Sequence, residues 1–379
     1  MKSKSNKMMM IYAAINIMCI VDAHAWSSLG FAKNYLPYNM FIIPAFIFNS
    51  GYFFVYKEEM SLLQFTKGKL KKLILPYYIW WFIYAAFVFF LDLAFGIKIG
   101  WDVNLKSLFL GPWISGECWA FNNPSWFVCA LFCVQIVYLI IRKALAKIWN
   151  DWVFLIILTI LSIYTTYFVS LNSVNQYFIN GYRTMILMWF YQFAILFRAH
   201  MEEKFKKTSG MILCATCFLI TAFLGQTFRG ATFGFNKLIW NGDGMSGKES
   251  FAGVYLLLVG LLGIIFWLKI SQLLVPAVEK SKIINFISNH TFEIMINHVI
   301  FMWLINLILV LLSGRIEFWN FNKEMAINDP WYRWTDSNWS LYLYFVAGML
   351  GSMLIAFLSD KVKSFVAGRK EKWKMNQSL

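Results

Sequence analysis

Apolar residues along this chain are gathered into blocks of about twenty, separated by short stretches rich in Lys, Asn, Asp and Gly. A helix rising 1.5 Å per residue needs about that many residues to cross roughly 30 Å of hydrocarbon. Short alternating runs of apolar and polar residues, the mark of half-buried strands, are not the dominant pattern. The blocks predict ten spans, at 8–26, 38–56, 74–97, 124–142, 152–170, 183–200, 209–226, 251–271, 284–312 and 339–358. The expected fold is all-α: a polytopic membrane protein of about ten transmembrane helices with a single transmembrane domain over 8–358. Residues 1–7 and 359–379 read as short basic tails.

Composition agrees with that picture. The 379 residues are 60% hydrophobic and 20% aromatic, with 14% charged, too little charge for a soluble chain of this length. Eighteen Trp and eighteen Tyr suit the two membrane–water interfaces. The net charge of +15 could suggest nucleic acid, but it is distributed by topology. Of the 34 Lys and Arg, 24 fall at the termini and in the even-numbered loops and 10 in the odd-numbered loops. Lys and Arg collect on the cytoplasmic side, so both termini are expected there, in a multi-pass protein of the cell (inner, cytoplasmic) membrane. No compact basic domain remains to bind nucleic acid.

The stretch MCIVDAHAWSS, residues 18–28, has two readings. Ala23-His24-Ala25 resembles a signal-peptidase site after a basic, then apolar, leader. Alternatively the span runs through to Trp26 and keeps His24 at its outer end. Asn16 interrupts the apolar run, and Asp22 and His24 crowd the cleavage site, which favours the spanning helix. Six cysteines add little. Cys129/Cys133 and Cys214/Cys217 sit at helical spacing inside apolar spans, where thiols act as small hydrophobes. CATC has no His, Asp or Glu nearby to make it a zinc or redox motif. HExxH, a CxxC pair and a His/Asp cluster at ligand spacing do not occur, so a catalytic metal is unsupported, and the glycine-rich phosphate loops do not occur either.

Ionisable groups within spans are costly and therefore candidate chemistry. They are Asp22 and His24 near the outer end of the first span, Asp92 in the third, and Glu293 and His298 in the ninth. Arg183 and His200 bracket the sixth, and His290 lies at the edge of the ninth. At 100° per residue, Asn16, Ile20 and His24 share one stripe while Asp22 faces the other way. A lone buried histidine is ordinarily a hydrogen-bonded structural residue, yet a neutral imidazole is also a capable base near neutral pH. The odd loops 97–123, 226–250 and 313–338 carry GPWISGECWAFNNPSW, FGFNKLIWNGDGMSG and DPWYRWTDSNW. Interfacial aromatics and turn residues account for any one of them; three on one face suggest a polar, aromatic vestibule.

HAW at the end of the first span is followed by MFIIPAFIFNSGYFF, KGKLKKLILPYYIWW, NPSWFVCALF and TFEIMINH. This order resembles the acyltransferase-3 family of integral-membrane enzymes that O-acylate surface polysaccharides and related glycans. The resemblance implies that His24 acts as general base, with His298 closing a second matched stretch. It places Ser50 and Tyr52, in FNSGY, and Lys69, Lys71 and Lys72 on the side of the acyl donor. Trp126, in the matched WF pair, and Arg183 are expected on the substrate side. The donor would be acetyl-CoA or another acyl-CoA, with no permanently bound cofactor. The acceptor would be a polysaccharide or lipid-linked glycan, and the partners the bilayer and glycan-synthesis machinery. One departure stands out: the family's Arg eleven residues before the histidine is Ala13 here, and its acidic residue three positions earlier is Met10. A polysaccharide exporter or flippase, or an inactive glycan-binding relative, are the alternatives.

Overall fold

The computed structural model describes residues 6–25, 38–334 and 338–377. Trp26 of the HAW motif, Thr335, Asp336 and Ser337 of the third aromatic loop, and the chain ends lie outside the described residues. The expected spans form helices α1 (Lys7–Ala25), α2 (Tyr38–Tyr52), α3 (Leu62–Lys69), α4 (Leu75–Phe95), α5 (Trp126–Ala144), α6 (Asp151–Leu171), α7 (Ile179–Leu196), α8 (Gly210–Thr227), α9 (Ala252–Val278), α10 (Thr291–Leu312) and α11 (Asn338–Gln377). The fold is all-α, 79% helical.

Among the described residues, eight helical stretches are long and apolar enough to cross a membrane, α3 and α4 counting as one. The other two expected spans are α2, 15 residues long, and α7, which buries Asn180, Arg183 and Gln192 inside the bundle. Side chains on α4, α6 and α8 such as Phe89, Leu93, Ile156, Ile160, Leu219 and Phe223 are more than half exposed or nearly so. Apolar surface of that extent is the face a bundle turns to lipid.

Two boundaries differ from the hydropathy reading for local reasons. The third span starts earlier, because α3 runs into α4 through a π turn over Leu70–Ile74. Pro76 lacks an N–H and would press its ring on the carbonyl four residues back; the widened turn before it relieves this. The ninth span breaks at His290, which separates a short helix, Lys282–Asn289, from α10. The His290 ring turns back onto the Phe286 carbonyl, 2.8 Å away, and also meets Asp360 at 2.8 Å.

α1 lies at the centre, packed on α2, α9, α10, α11 and the Lys282–Asn289 helix. It runs antiparallel to α2: Asn6 meets Tyr52 at one end, and Tyr12 packs on Phe48 further along. Gly51 of α2 allows a close approach to α7, since a Cβ there would stand 2.4 Å from the Tyr191 carbonyl oxygen. The loops sort to two ends. One, the basic end, gathers Asn6, Tyr52, Glu202, Lys206, His290 and Asp360. The opposite end carries the aromatic loops and a small antiparallel hairpin, β1 (Thr232–Gly234) with β2 (Ile239–Asn241), whose register pairs Phe233 with Trp240.

Candidate active site

α1 and α10 bring two histidines together at the opposite end. His24 Nδ1 is 2.7 Å from His298 Nε2, and the rings are within 7° of parallel. His298 is fully buried, and its Nδ1 lies 3.0 Å from the Ile294 carbonyl of the preceding helical turn. A carbonyl only accepts, so Nδ1 of His298 carries a proton. With both rings neutral, its Nε2 then accepts from His24 Nδ1–H. That chain leaves His24 Nε2 with a free lone pair.

His24 lines a cavity of about 430 Å³ together with Ile20, Ile43, Asn123, Trp126, Asn236, Lys237 and Trp331, among others. The Trp331 ring meets the imidazole edge-on, centroids 5.2 Å apart. Next to it, Arg333 is buried and donates from Nε to the His24 carbonyl at 3.1 Å and from Nη1 to the carbonyls of Pro330 and Tyr332. Burial pulls its guanidinium down to about 10, so it stays charged at neutral pH. Arg333 thereby ties the aromatic loop to the end of α1.

The far wall is held by Arg183. It is buried behind Trp126, its guanidinium 4.2 Å from that ring's centroid. It donates to the carbonyls of Phe235 and Asn236 in the hairpin turn and to Asn180 Oδ1. Asn236 in turn donates to Glu117 at 2.7 Å. Burial pushes the Glu117 carboxyl up, against the opposing effects of Asn236, Arg183 and Lys237. Trp126 therefore faces the cavity, whereas Arg183 braces its wall. Cys118, on the adjoining loop, is driven to about 12 by burial, which leaves it unreactive as a nucleophile.

A second cavity, about 360 Å³, opens at the basic end and is lined by Ser50, Phe53, Phe54, Val55, Met60, Phe65, Lys69 and Tyr191. Of the residues expected on the donor side, Ser50 and Lys69 line it. Ser50 Oγ accepts from Gln135 at 2.6 Å. Tyr52 does not line it; its hydroxyl is bound between Asn6 and Glu202. Lys71 and Lys72 are exposed and stand outside the lining. Arg198 completes this end by donating to the carbonyls of Tyr52 and Phe54 past the end of α2. Among the described residues, no group of three or more His, Cys, Asp or Glu side chains is placed to hold a metal ion.

Sequence reasoning did not single out Arg333, Glu117, Asn236, Gln135 or Arg198. Each is an ordinary loop or helix residue in the sequence, significant only through a partner more than 80 residues away. The one available signal was an arginine set among aromatics in DPWYRW.

Compared with protein families, residues 14–361 match the acyltransferase domain family, acyltransferase-3. The chain belongs to that family. No curated protein and no solved structure matches it. As an acyltransferase-3 protein it is a membrane acyltransferase, and two of its four histidines, His24 and His298, meet where His24 lines the cavity. The family match begins just after Ala13, so the missing arginine lies outside the matched stretch.

Proposed function

We propose that this protein transfers an acyl group, acetyl being the favoured one, from a cytoplasmic acyl-CoA to a hydroxyl of a surface or lipid-linked glycan. The observation that carries the reading is the His24–His298 pair at the cavity, in a chain of an acyltransferase family. The cavity suits a sugar: Trp126 and Trp331 offer faces for stacking, and Asn123, Asn236, Lys237 and Glu117 offer donors and acceptors for hydroxyls. The Lys and Arg bias puts this cavity on the outer face and the Ser50–Lys69 cavity on the cytoplasmic face.

In the proposed reaction, His24 Nε2 takes the proton of the acceptor hydroxyl as its oxygen attacks the thioester carbonyl. The tetrahedral adduct then expels the CoA thiolate, which recovers the proton from His24. The products are an ester and CoA thiol. His298 touches no reacting atom. It holds the His24 tautomer and, by accepting from Nδ1–H, stabilises the imidazolium that forms. General-base catalysis of this kind is worth about 10²–10⁴ in rate.

The test supplies labelled acetyl-CoA to membrane vesicles containing the protein and follows alkali-labile label in glycan. Wild type transfers label, and His24→Ala, still inserted, does not. Undiminished transfer by His24→Ala overturns the assignment. A deletion strain that loses the glycan itself, rather than its acyl groups, supports export instead.

A further inference from the structure

Arg142 lies about two turns beyond Gln135 on α5, at the basic end of the bundle. Its guanidinium packs over two aromatic rings from different parts of the chain. The Tyr56 centroid is 4.2 Å from Cζ and the Trp149 centroid 4.5 Å. Rings this close cover a flat cation and leave its N–H groups as the part still able to bond. Both rings are themselves fixed. The Trp149 indole donates to Asp151 at 2.7 Å and meets Phe154, centroids 4.4 Å apart. The segment carrying Tyr56 is held by Arg198, on the carbonyls of Tyr52 and Phe54, and by Lys143, on the Glu58 carbonyl.

Three other arginines pack on aromatic rings, Arg183, Arg198 and Arg333. Each commits its N–H groups to backbone carbonyls. Arg142 does not: among the described residues nothing accepts from its guanidinium, and Nη1 is shut from solvent without a partner. Ion pairs among those residues are made by Lys206, His290 and Lys363. Glu58, Glu59 and Asp151 stand in the adjoining segments, yet none pairs with Arg142; Asp151 accepts from Trp149 and Gln192 instead. A guanidinium oriented by rings and left unbonded presents a fork suited to the paired oxygens of an anion. Carboxylates of this chain leave that fork empty, and the nearby segments also bring Lys57, Lys143 and Lys147. Such surroundings favour an anion of higher charge, a phosphate group.

The place fits a phosphate ligand. Val55, which precedes Tyr56, lines the cavity at the basic end, as do Phe54 and Lys69. Phe54 packs on Tyr138 and Tyr138 on Trp149, centroids 5.4 and 5.9 Å apart. Arg142 does not line that cavity; it neighbours its wall, beside Tyr56. We propose that Arg142, held by Tyr56 and Trp149, is a binding site for a phosphate group at the cytoplasmic face. Two sources supply such a group there: the nucleotide of the donor, which rests on the acyl-CoA reading above, and the headgroup of an anionic phospholipid. The adjoining cavity favours the nucleotide.

The experiment uses the full chain in a non-ionic detergent. It is titrated with adenosine 3′,5′-bisphosphate and, separately, with phosphatidylglycerol, and thermal unfolding is followed. The variants are Arg142→Gln, planar without charge, and Arg142→Lys, charged without the fork. Loss of the charge-assisted bonds should raise the bisphosphate Kd about 10- to 150-fold in Arg142→Gln. Arg142→Lys should fall between it and wild type, with the phosphatidylglycerol response unchanged in both. The reverse pattern supports the site with the headgroup as its ligand. A clamp that serves structure alone lowers the unfolding temperature of the ligand-free variants and moves neither affinity. That result overturns the site, as does a wild type that binds neither ligand. Arg142→Lys keeps the test available if Arg142→Gln does not fold. A wild type that binds bisphosphate through Arg142 but transfers no acetyl from acetyl-CoA overturns the donor reading and leaves the phosphate site standing.

Discussion

Replacing His298 tests the site most directly, because that residue acts only through another. In His298→Ala, His24 loses the acceptor 2.7 Å from its Nδ1. Two effects follow. The neutral ring is no longer held with Nε2 free, and the imidazolium formed during transfer loses a charge-assisted hydrogen bond. Such a bond to a charged group contributes about 1.5–3 kcal/mol, which at 1.36 kcal/mol per decade is about a 10- to 150-fold fall in kcat. KM for acceptor should hold, since His298 does not line the cavity. His298→Gln, whose amide oxygen reaches to about the position of Nε2, should recover part of the loss. Initial rates of alkali-labile label transfer from acetyl-CoA in membrane vesicles, at several acceptor concentrations, provide the split. Full activity in His298→Ala, or a loss confined to KM, refutes the orienting role.

Other consequences can be measured on the same preparations. Arg183→Met strips donors from two hairpin carbonyls and Asn180. It should cost about 3–5 kcal/mol, seen as a lower unfolding temperature and faster hydrogen exchange over 232–241; unchanged exchange there contradicts the bracing role. Burial holds the Glu117 carboxyl above its ordinary value, so folding disfavours the carboxylate. Wild-type stability should be intact below the usual carboxylate range, about pH 4, and decline as pH rises from there toward the raised value. Glu117→Gln escapes that decline, so its advantage in unfolding temperature should be nil at low pH and grow with pH; a constant difference refutes this. Gly51→Ala drives a Cβ into the Tyr191 carbonyl oxygen and should destabilise by about 1–3 kcal/mol. It should also weaken acetyl-CoA binding, because Ser50 and Tyr191 line the basic-end cavity. Both effects are readable by thermal unfolding and a binding titration.

Hydropathy made most of the architecture legible, since a helix in lipid must carry about twenty apolar residues whatever it packs against. It served least well at α7, whose Asn180, Arg183 and Gln192 are buried among other helices rather than exposed to lipid. The hairpin escaped notice for a different reason: strands of three residues are too short to display a period of two. His24 and His298 were each readable as costly intramembrane groups, but their bond spans 274 positions of sequence. Helix geometry along α1 could exclude Asp22 as the partner without revealing His298. The family resemblance supplied the residues, and tertiary packing supplied the contact. Among the lysines, Lys69 lines a cavity while Lys71 and Lys72 do not, a distinction set by the turn leading to Pro76 and invisible in charge alone.

Phe46 lies between Ile43 and Ser50 on the cavity-lining face of α2, and its ring meets Phe127 of α5 with centroids 5.7 Å apart. Among the described residues, the two chambers share no lining residue, and this aromatic contact sits at the level between them. An ion leaking down a 100 mV gradient dissipates about 2.3 kcal/mol per charge, a loss that an open bore would sustain without pause. In the proposed transfer, aromatic packing at this level lets an acyl group be handed on without an open pore for ions, so the battery of the membrane is spared.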